Sequence, residues 1–536
     1  MNRFLLMAAT CSLLAQTTDI TGDRIRAHVK FLSSDLMEGR GVGTRGERLA
    51  TEYIATQFAL IGAKPAGDRG TYFQRVPMVG ATTQSGATLA AVGASQTMSF
   101  KWLDEFVGVS QLQQPVDQFD AEAIFVGHGI VAPEFQWDDF KGIDVKGKVL
   151  VLFTNEPPSE DPKFFGGPAL TYYGRWTYKY EEAARHGAKA VLIIHTTPTA
   201  GYGYDVVRSS WGKEDPQLKL AAGQPALAFA GWLTKEAGEK LTGMAGKKVD
   251  DLLAAANSRD FHPIPLGIHI RANIPTKVRQ IESRNVAAII AGSDPALESQ
   301  AVVFTAHWDH LGIATPVRGD SIYNGAVDNA TGCAILIELA HAWAALEHKP
   351  RRSAVFLAVT AEEAGMRGSE YYAEHPIVPL GKTALDLNFD GFYPFGRTKD
   401  METTGADRTT VWPVAQEAAR RMNVTIKPEA HPEQGHYYRS DHFSLAHAGV
   451  PAFSINQGTD YYGKPAGYGE KVFQEFNEKH YHQPSDEYRD DWDFAGMEQA
   501  ARFGFLIATT VANQDKLPTW RPGDEFLKAR ENSGVH

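Results

Sequence analysis

The sequence predicts an α/β protein: a mixed, largely parallel central sheet flanked by helices, with a β-rich domain inserted into the chain. Three observations carry this. Apolar runs alternate with helical stretches after residue 285, and short strands with Gly-rich connections fill the stretch before it. The length of 536 residues also exceeds the roughly 250–300 at which one hydrophobic core stops growing. With 43% hydrophobic residues, the chain can bury enough apolar surface to offset its ordering entropy.

At the amino end, Met1-Asn2-Arg3 and the apolar run Phe4–Ala15 have the pattern of a short secretory signal, so residues 1–15 are expected to direct export to the periplasm or medium. Residues 21–62 space their apolar positions at three and four and read as helices, broken by Gly39-Arg40-Gly41-Val42-Gly43. That Gly-rich loop lacks the strand-to-helix setting of a phosphate loop and receives no nucleotide role. From about 116 the runs at 123–126, 148–153 and 190–194 read as strands, and 178–186 as a helix. Pro263, Pro265 and Pro275 mark a second change. Beyond it, strands at 285–290, 302–306, 354–359 and 384–389 alternate with helices near 331–346, 367–374 and 409–421.

Charge and cysteine usage narrow the function. Lys plus Arg at 53 against Asp plus Glu at 64 gives −11, the wrong sign for a bulk nucleic-acid binder. No stretch approaches the roughly 20 apolar residues of a membrane span, so stable membrane insertion is not expected. Cys11 and Cys333 are the two cysteines; with the leader removed, no internal disulfide can form.

In open α/β sheets, functional groups lie beyond the carboxyl ends of the strands. There the sequence offers His307-Trp308-Asp309-His310, Glu362-Glu363 and Asp390, with Asp328 ahead of a helix and His480-Tyr481-His482 later in the chain. So many carboxylates at one edge repel unless a cation sits among them. Imidazole with carboxylate suits zinc, with cobalt or manganese as substitutes. By residue type alone, His310 and His480 rival His307 and His482 as ligands.

These segments resemble the co-catalytic di-zinc aminopeptidase family, which includes secreted bacterial aminopeptidases and has glutamate carboxypeptidase as a distant relative. The likeness rests on Ala306-His307-Trp308-Asp309, Gly325-Ala326-Val327-Asp328-Asn329, Ala361-Glu362-Glu363-Ala364-Gly365, Asn388-Phe389-Asp390 and Tyr481-His482. It implies two zinc ions per chain. Asp328 would bridge them, His307 and Asp390 would complete one site, and Glu363 and His482 the other. A cis peptide after Asp328 is also implied. Glu362 would be the general base that takes a proton from metal-bound water, and Tyr481 would donate to the oxyanion. Asp309 is expected to orient His307, and Asp486 to orient His482. Arg439-Ser440-Asp441-His442 resembles a segment bordering the substrate pocket, which makes Arg439 a candidate substrate contact, a structural salt bridge being the equal alternative.

Val126-Gly127-His128-Gly129 and Val145-Lys146-Gly147-Lys148-Val149 resemble the protease-associated (PA) domain. The implied organisation is a helical first part of the peptidase domain at 16–115, a PA-like insertion at 116–272, the metal-bearing part at 273–515 and a tail at 516–536. The expected activity is zinc-dependent removal of N-terminal residues from peptide substrates. A carboxypeptidase of the glutamate carboxypeptidase type shares the ligand scheme. A glutaminyl cyclase shares the fold but uses one zinc, and a receptor-like binding protein on this scaffold would have lost ligands that are all present here.

Overall fold

A computed structural model describes residues 19–200, 202–429 and 431–535. The leader expected at 1–15 lies outside the described residues. The chain divides into two compact units: Met1–Pro77, Glu282–Ala430 and Arg439–His536 form one, and Met78–Ile281 with His431–Tyr438 the other.

The first boundary therefore falls at 77/78 rather than 115/116, and the second at 281/282 rather than 272/273. The reason is local. Helix Arg45–Ile61 ends at Gly62, whose φ of 83° gives a left-handed cap. Beyond that cap the chain turns extended: Phe73–Thr83, Thr88–Val92, Thr97–Phe100 and Phe106–Val109 are strands. Thr88–Val92 pairs antiparallel with Thr97–Phe100 and with His269–Asn273, so these strands belong to the inserted unit. The helical expectation for 16–115 holds only for its first half.

In the inserted unit four strands run parallel in the order Val116–Phe125, Val149–Leu152, Ala190–Ile194 and Phe229–Leu233. Antiparallel partners close both sides: Phe106–Val109 beyond Phe229–Leu233, and the start of Ile264–Ile290 beside Val116–Phe125. Both faces of the sheet are buried, which suits the continuous apolar runs of its inner strands.

In the other unit the sheet order is Ala452–Ser454, Thr383–Asn388, Ala301–His307, Ser353–Val359, the end of Ile264–Ile290, and Lys64–Pro65. The first four are mutually parallel, and Val286–Ile290 joins antiparallel. Every residue of Ala301–His307 and Ser353–Val359 is buried, as a strand covered on both faces requires. Val302, Phe304 and Ala306 share a core with helices Gly22–Leu32, Arg45–Ile61, Thr331–Ala345 and Ala495–Ala512. Within it Phe304 stacks on Phe356 at 5.3 Å and meets Trp343 edge-on at 5.8 Å. Each such side chain contributes about 1.5–3 kcal/mol on burial.

The last residues are not a loose tail. Trp520 is 1% exposed and Arg530 fully buried, the latter in helix Leu527–Asn532. No helix among the described residues is long and apolar enough to cross a membrane.

Candidate metal centre

Three parallel strands deliver their ends to one edge: His307 closes Ala301–His307, Glu362 and Glu363 follow Ser353–Val359, and Asp390 follows Thr383–Asn388. Asp328 comes from the turn ahead of helix Thr331–Ala345. Gly325 starts that turn with φ of 58°, and a Cβ there would lie 2.2 Å from the Asp328 carbonyl oxygen, so only glycine fits. The Asp328–Asn329 peptide is cis.

The side chains form two clusters that share Asp328. On one side His307 Nε2 lies 3.2 Å from Asp328 Oδ1 and 3.2 Å from Asp390 Oδ1. On the other, His482 Nε2 lies 3.3 Å from Asp328 Oδ2 and 3.0 Å from Glu363 Oε2. Each Asp328 oxygen thus faces a different imidazole. His310 joins the second cluster, its Nδ1 2.6 Å from Glu363 Oε1 and 4.0 Å from Asp328 Oδ2. All five residues expected as ligands are brought together, and His310 is a sixth that residue type alone had left as a rival. His480 instead faces Ser485, with Nδ1 2.9 Å from its hydroxyl.

The electrostatics are those of a cation site. Burial alone would lower the histidines, yet Asp390 and Asp328 hold His307 well above its usual range, and Glu363 and Asp328 raise His482 to about 10. Burial and the carboxylates of Asp390, Asp441 and Glu363 push Glu362 well above the usual carboxylate range. Groups that must borrow protons from one another in this way fit divalent cations; the close groupings of ligand atoms among the described residues are His307–Asp328–Asp390 and His310–Asp328–Glu363. His307, Asp328 and Asp390 would hold one ion. Asp328, Glu363 and His482 would hold the other, with His310 beside Glu363.

Glu362 differs from its neighbour. Glu363 is pinned by His310 and His482, whereas the Glu362 carboxylate has no hydrogen bond or ion pair among the described residues; its backbone alone is engaged, the N–H donating to Asp309 Oδ1 at 3.2 Å and the carbonyl accepting from Gly365 N–H at 2.7 Å and Met366 N–H at 2.9 Å. Tyr481 stacks on His482, ring centroids 3.9 Å apart, and is 48% exposed. Arg439 is exposed and makes no ion pair with the cluster.

Two supporting roles differ from expectation. His307 Nδ1 faces the backbone oxygen of Asp309 at 3.1 Å, while the Asp309 carboxylate is 3.9 Å away. Burial pushes that carboxyl up to about 7; it serves the Glu362 backbone instead. Asp486 does not reach His482. Its carboxylate accepts from the backbone N–H groups of Val327 at 2.9 Å and Asp328 at 3.1 Å, fixing the turn that carries the shared ligand.

Ser440 has a role that the sequence did not reveal. Its hydroxyl donates to Asp390 Oδ2 at 2.6 Å and accepts from Asn388 Nδ2 at 2.7 Å. Next to it, Asp441 accepts from the Ser369 hydroxyl at 2.6 Å. The signal in the sequence is the polar run 439–442, in which the serine rather than the arginine meets the cluster.

A model of Peptidase family M28 matches residues 285–504. The probable glutamate carboxypeptidase AMP1 of Arabidopsis thaliana is 24% identical over 413 residues, 69% of this chain and 54% of that protein. A probable zinc metalloprotease of Pyrenophora tritici-repentis is 37% identical over 90 residues, 17% of this chain and 18% of that protein. The chain thus spans about half or less of the length of these curated relatives. Among solved structures, an aminopeptidase from Aneurinibacillus sp. strain AM-1 aligns over 95% of this chain and 98% of its own, with a TM-score of 0.52 and 21% identity; that likeness concerns the fold. His307, Asp328, Glu362, Glu363, Asp390 and His482 all fall inside the matched stretch, so the two clusters coincide with the part of this chain that is similar to peptidase family M28.

Proposed function

We propose that the protein is a zinc-dependent exopeptidase that removes N-terminal residues from peptides, with Glu362 as general base. The observation that carries this is Asp328, whose two oxygens face separate imidazole–carboxylate clusters beside an unpinned glutamate. Two ions bound there would supply Lewis acidity and lower the pKa of water to near neutrality. His307, Asp390, Glu363 and His482 fix where that chemistry happens. Glu362 takes a proton from the attacking water and returns it to the leaving amine. Tyr481, half-exposed and stacked on His482, would donate to the oxygen that gains charge.

A carboxypeptidase is the second reading, favoured by the named activity of the Arabidopsis thaliana relative. The test uses zinc-loaded protein with aminoacyl anilides, N-acylated peptides and peptides amidated at the carboxyl end. Release from free amino termini, with N-acylated peptides inert, supports the proposal. Cleavage that requires a free carboxyl terminus supports the second reading and defeats the first. The leader-like residues 1–15 support export, so the enzyme would meet peptides in the periplasm or outside the cell.

A further inference from the structure

Three arginines are almost wholly buried in the unit that carries the clusters: Arg40 at 1% exposure, Arg352 and Arg530 at 0%. None has a carboxylate in contact among the described residues, and each is held mainly by backbone oxygens. Their acceptors lie at different places. Arg352 donates to Gln300 Oε1 at 2.7 Å and to Val511 O at 3.2 Å. Arg530 donates to Thr383 O at 2.9 Å and Leu380 O at 3.0 Å. Thr383 opens its strand, and Arg352 directly precedes Ser353–Val359, so both sit at the amino ends of the parallel strands, away from the chemistry.

Arg40 sits at the other end. Its Nε donates to Trp308 O at 2.8 Å, one Nη to Leu32 O at 2.7 Å and Asn324 O at 2.6 Å, and the other to Gly325 O at 2.8 Å. Trp308 directly follows His307, and Gly325 opens the turn that contains Asp328. One rigid, planar fork thus spans two segments that bear metal ligands and the end of helix Gly22–Leu32. The loop that presents it is shaped for the task. Gly39 has φ of 64°, and a Cβ there would meet Tyr323 O at 2.4 Å and Gly312 O at 2.7 Å. The carboxylates of Asp486, Asp328 and Asp309 favour its cation against the cost of burial.

We propose that Arg40 is a positioning residue of the metal centre, tying the strand end that bears His307 to the turn that bears Asp328 so that their cluster keeps its shape before an ion arrives. This gives the Gly-rich loop 39–43 a function, and it rests on reading the two clusters as a metal site. Lysine in place of Arg40 would keep the charge but lose the planar fork.

The test compares full-length wild type, Arg40→Lys and Arg530→Lys, the last removing a buried fork of the same kind from the opposite end. Zinc affinity is measured by competition with a chromogenic chelator, geometry by the visible spectrum of the cobalt-loaded protein, and stability by melting of the metal-free protein. Arg40→Lys should weaken zinc binding about 10–100-fold, the usual effect of losing support behind a ligand, and alter the cobalt bands. Arg530→Lys should lower the melting temperature and leave affinity and spectrum as in wild type. Wild-type affinity and bands in Arg40→Lys would overturn the proposal. If that variant does not fold, Gly39→Ala replaces it: its Cβ would lie 2.4 Å from Tyr323 O and 2.7 Å from Gly312 O and displace the loop. It should weaken zinc binding, and unchanged affinity would overturn the proposal equally. Wild-type protein that takes up no zinc would defeat the reading of the site itself.

Discussion

The hydroxyl of Ser440 donates to Oδ2 of Asp390 over 2.6 Å, while the other oxygen of that carboxylate faces His307 Nε2 at 3.2 Å. A carboxylate held in this way presents one oxygen to its cluster and cannot rotate freely. Removing the hydroxyl frees it and leaves Asn388 Nδ2 without its acceptor. Ser440→Ala is therefore expected to weaken zinc binding at the His307–Asp390 cluster by about tenfold or more. Stepwise zinc titration against a chelator measures this; unchanged affinity would mean that Asp390 needs no support beyond the ion.

Glu362 and Glu363 are neighbours with opposite fates, because consecutive side chains leave the backbone in different directions. Glu363 is gripped by two imidazoles and Glu362 by none. Glu362→Gln should keep zinc content at the wild-type level and lose about 10²–10⁴-fold in kcat, the usual share of a general base. Elemental analysis beside steady-state rates decides it. A metal-replete variant with near-normal turnover would remove the base assignment.

The sequence made the catalytic edge legible because the inner strands are buried on both faces. Ala301–His307 and Ser353–Val359 read as mostly apolar runs, and the polar residues at and beyond their ends stand out, while Thr383–Asn388 carries Asp386 in its middle and is the less clear of the three. Other parts stayed hidden for physical reasons. Pro265 and Pro275 looked like breaks, yet both lie inside the 27-residue strand Ile264–Ile290, Pro265 next to a register shift of the kind that tolerates a missing N–H. Asp486 lies four residues from His482 in sequence, whereas its partners Val327 and Asp328 are 159 and 158 residues away. Arg40 was invisible for a related reason: backbone carbonyls leave no trace in residue type.

Asp328 is shared by both clusters, so its loss should empty both. Asp328→Ala is expected to retain fewer than one zinc per chain after dialysis. With its one described cysteine, Cys333, unpaired and buried, the chain has metal as its available cross-link at this edge. Zinc that binds only the folded state raises stability with the logarithm of its concentration over Kd. A chelator should therefore lower the melting temperature of wild type and leave that of Asp328→Ala unmoved. Equal sensitivity in both proteins would place the stabilising ion elsewhere.

In the inserted unit His128 is 1% exposed, with Nδ1 3.1 Å from Thr154 O and Nε2 2.8 Å from the Asn257 amide. Burial lowers its pKa to about 4 from an ordinary 6.5. The folded state thus prefers the neutral ring, and between these values the unfolded chain binds more protons. The contribution is full above pH 6.5 and is lost as pH falls toward 4, about 3 kcal/mol in all. Asp139, whose carboxyl accepts from the His128 backbone N–H and is raised by burial to about 7, titrates in the opposite sense over the same range. Only a difference between proteins isolates the histidine. His128→Gln should lose less stability than wild type between pH 6.5 and 4 when both are unfolded with urea. Parallel pH profiles in the two proteins would show that His128 is not the group that titrates.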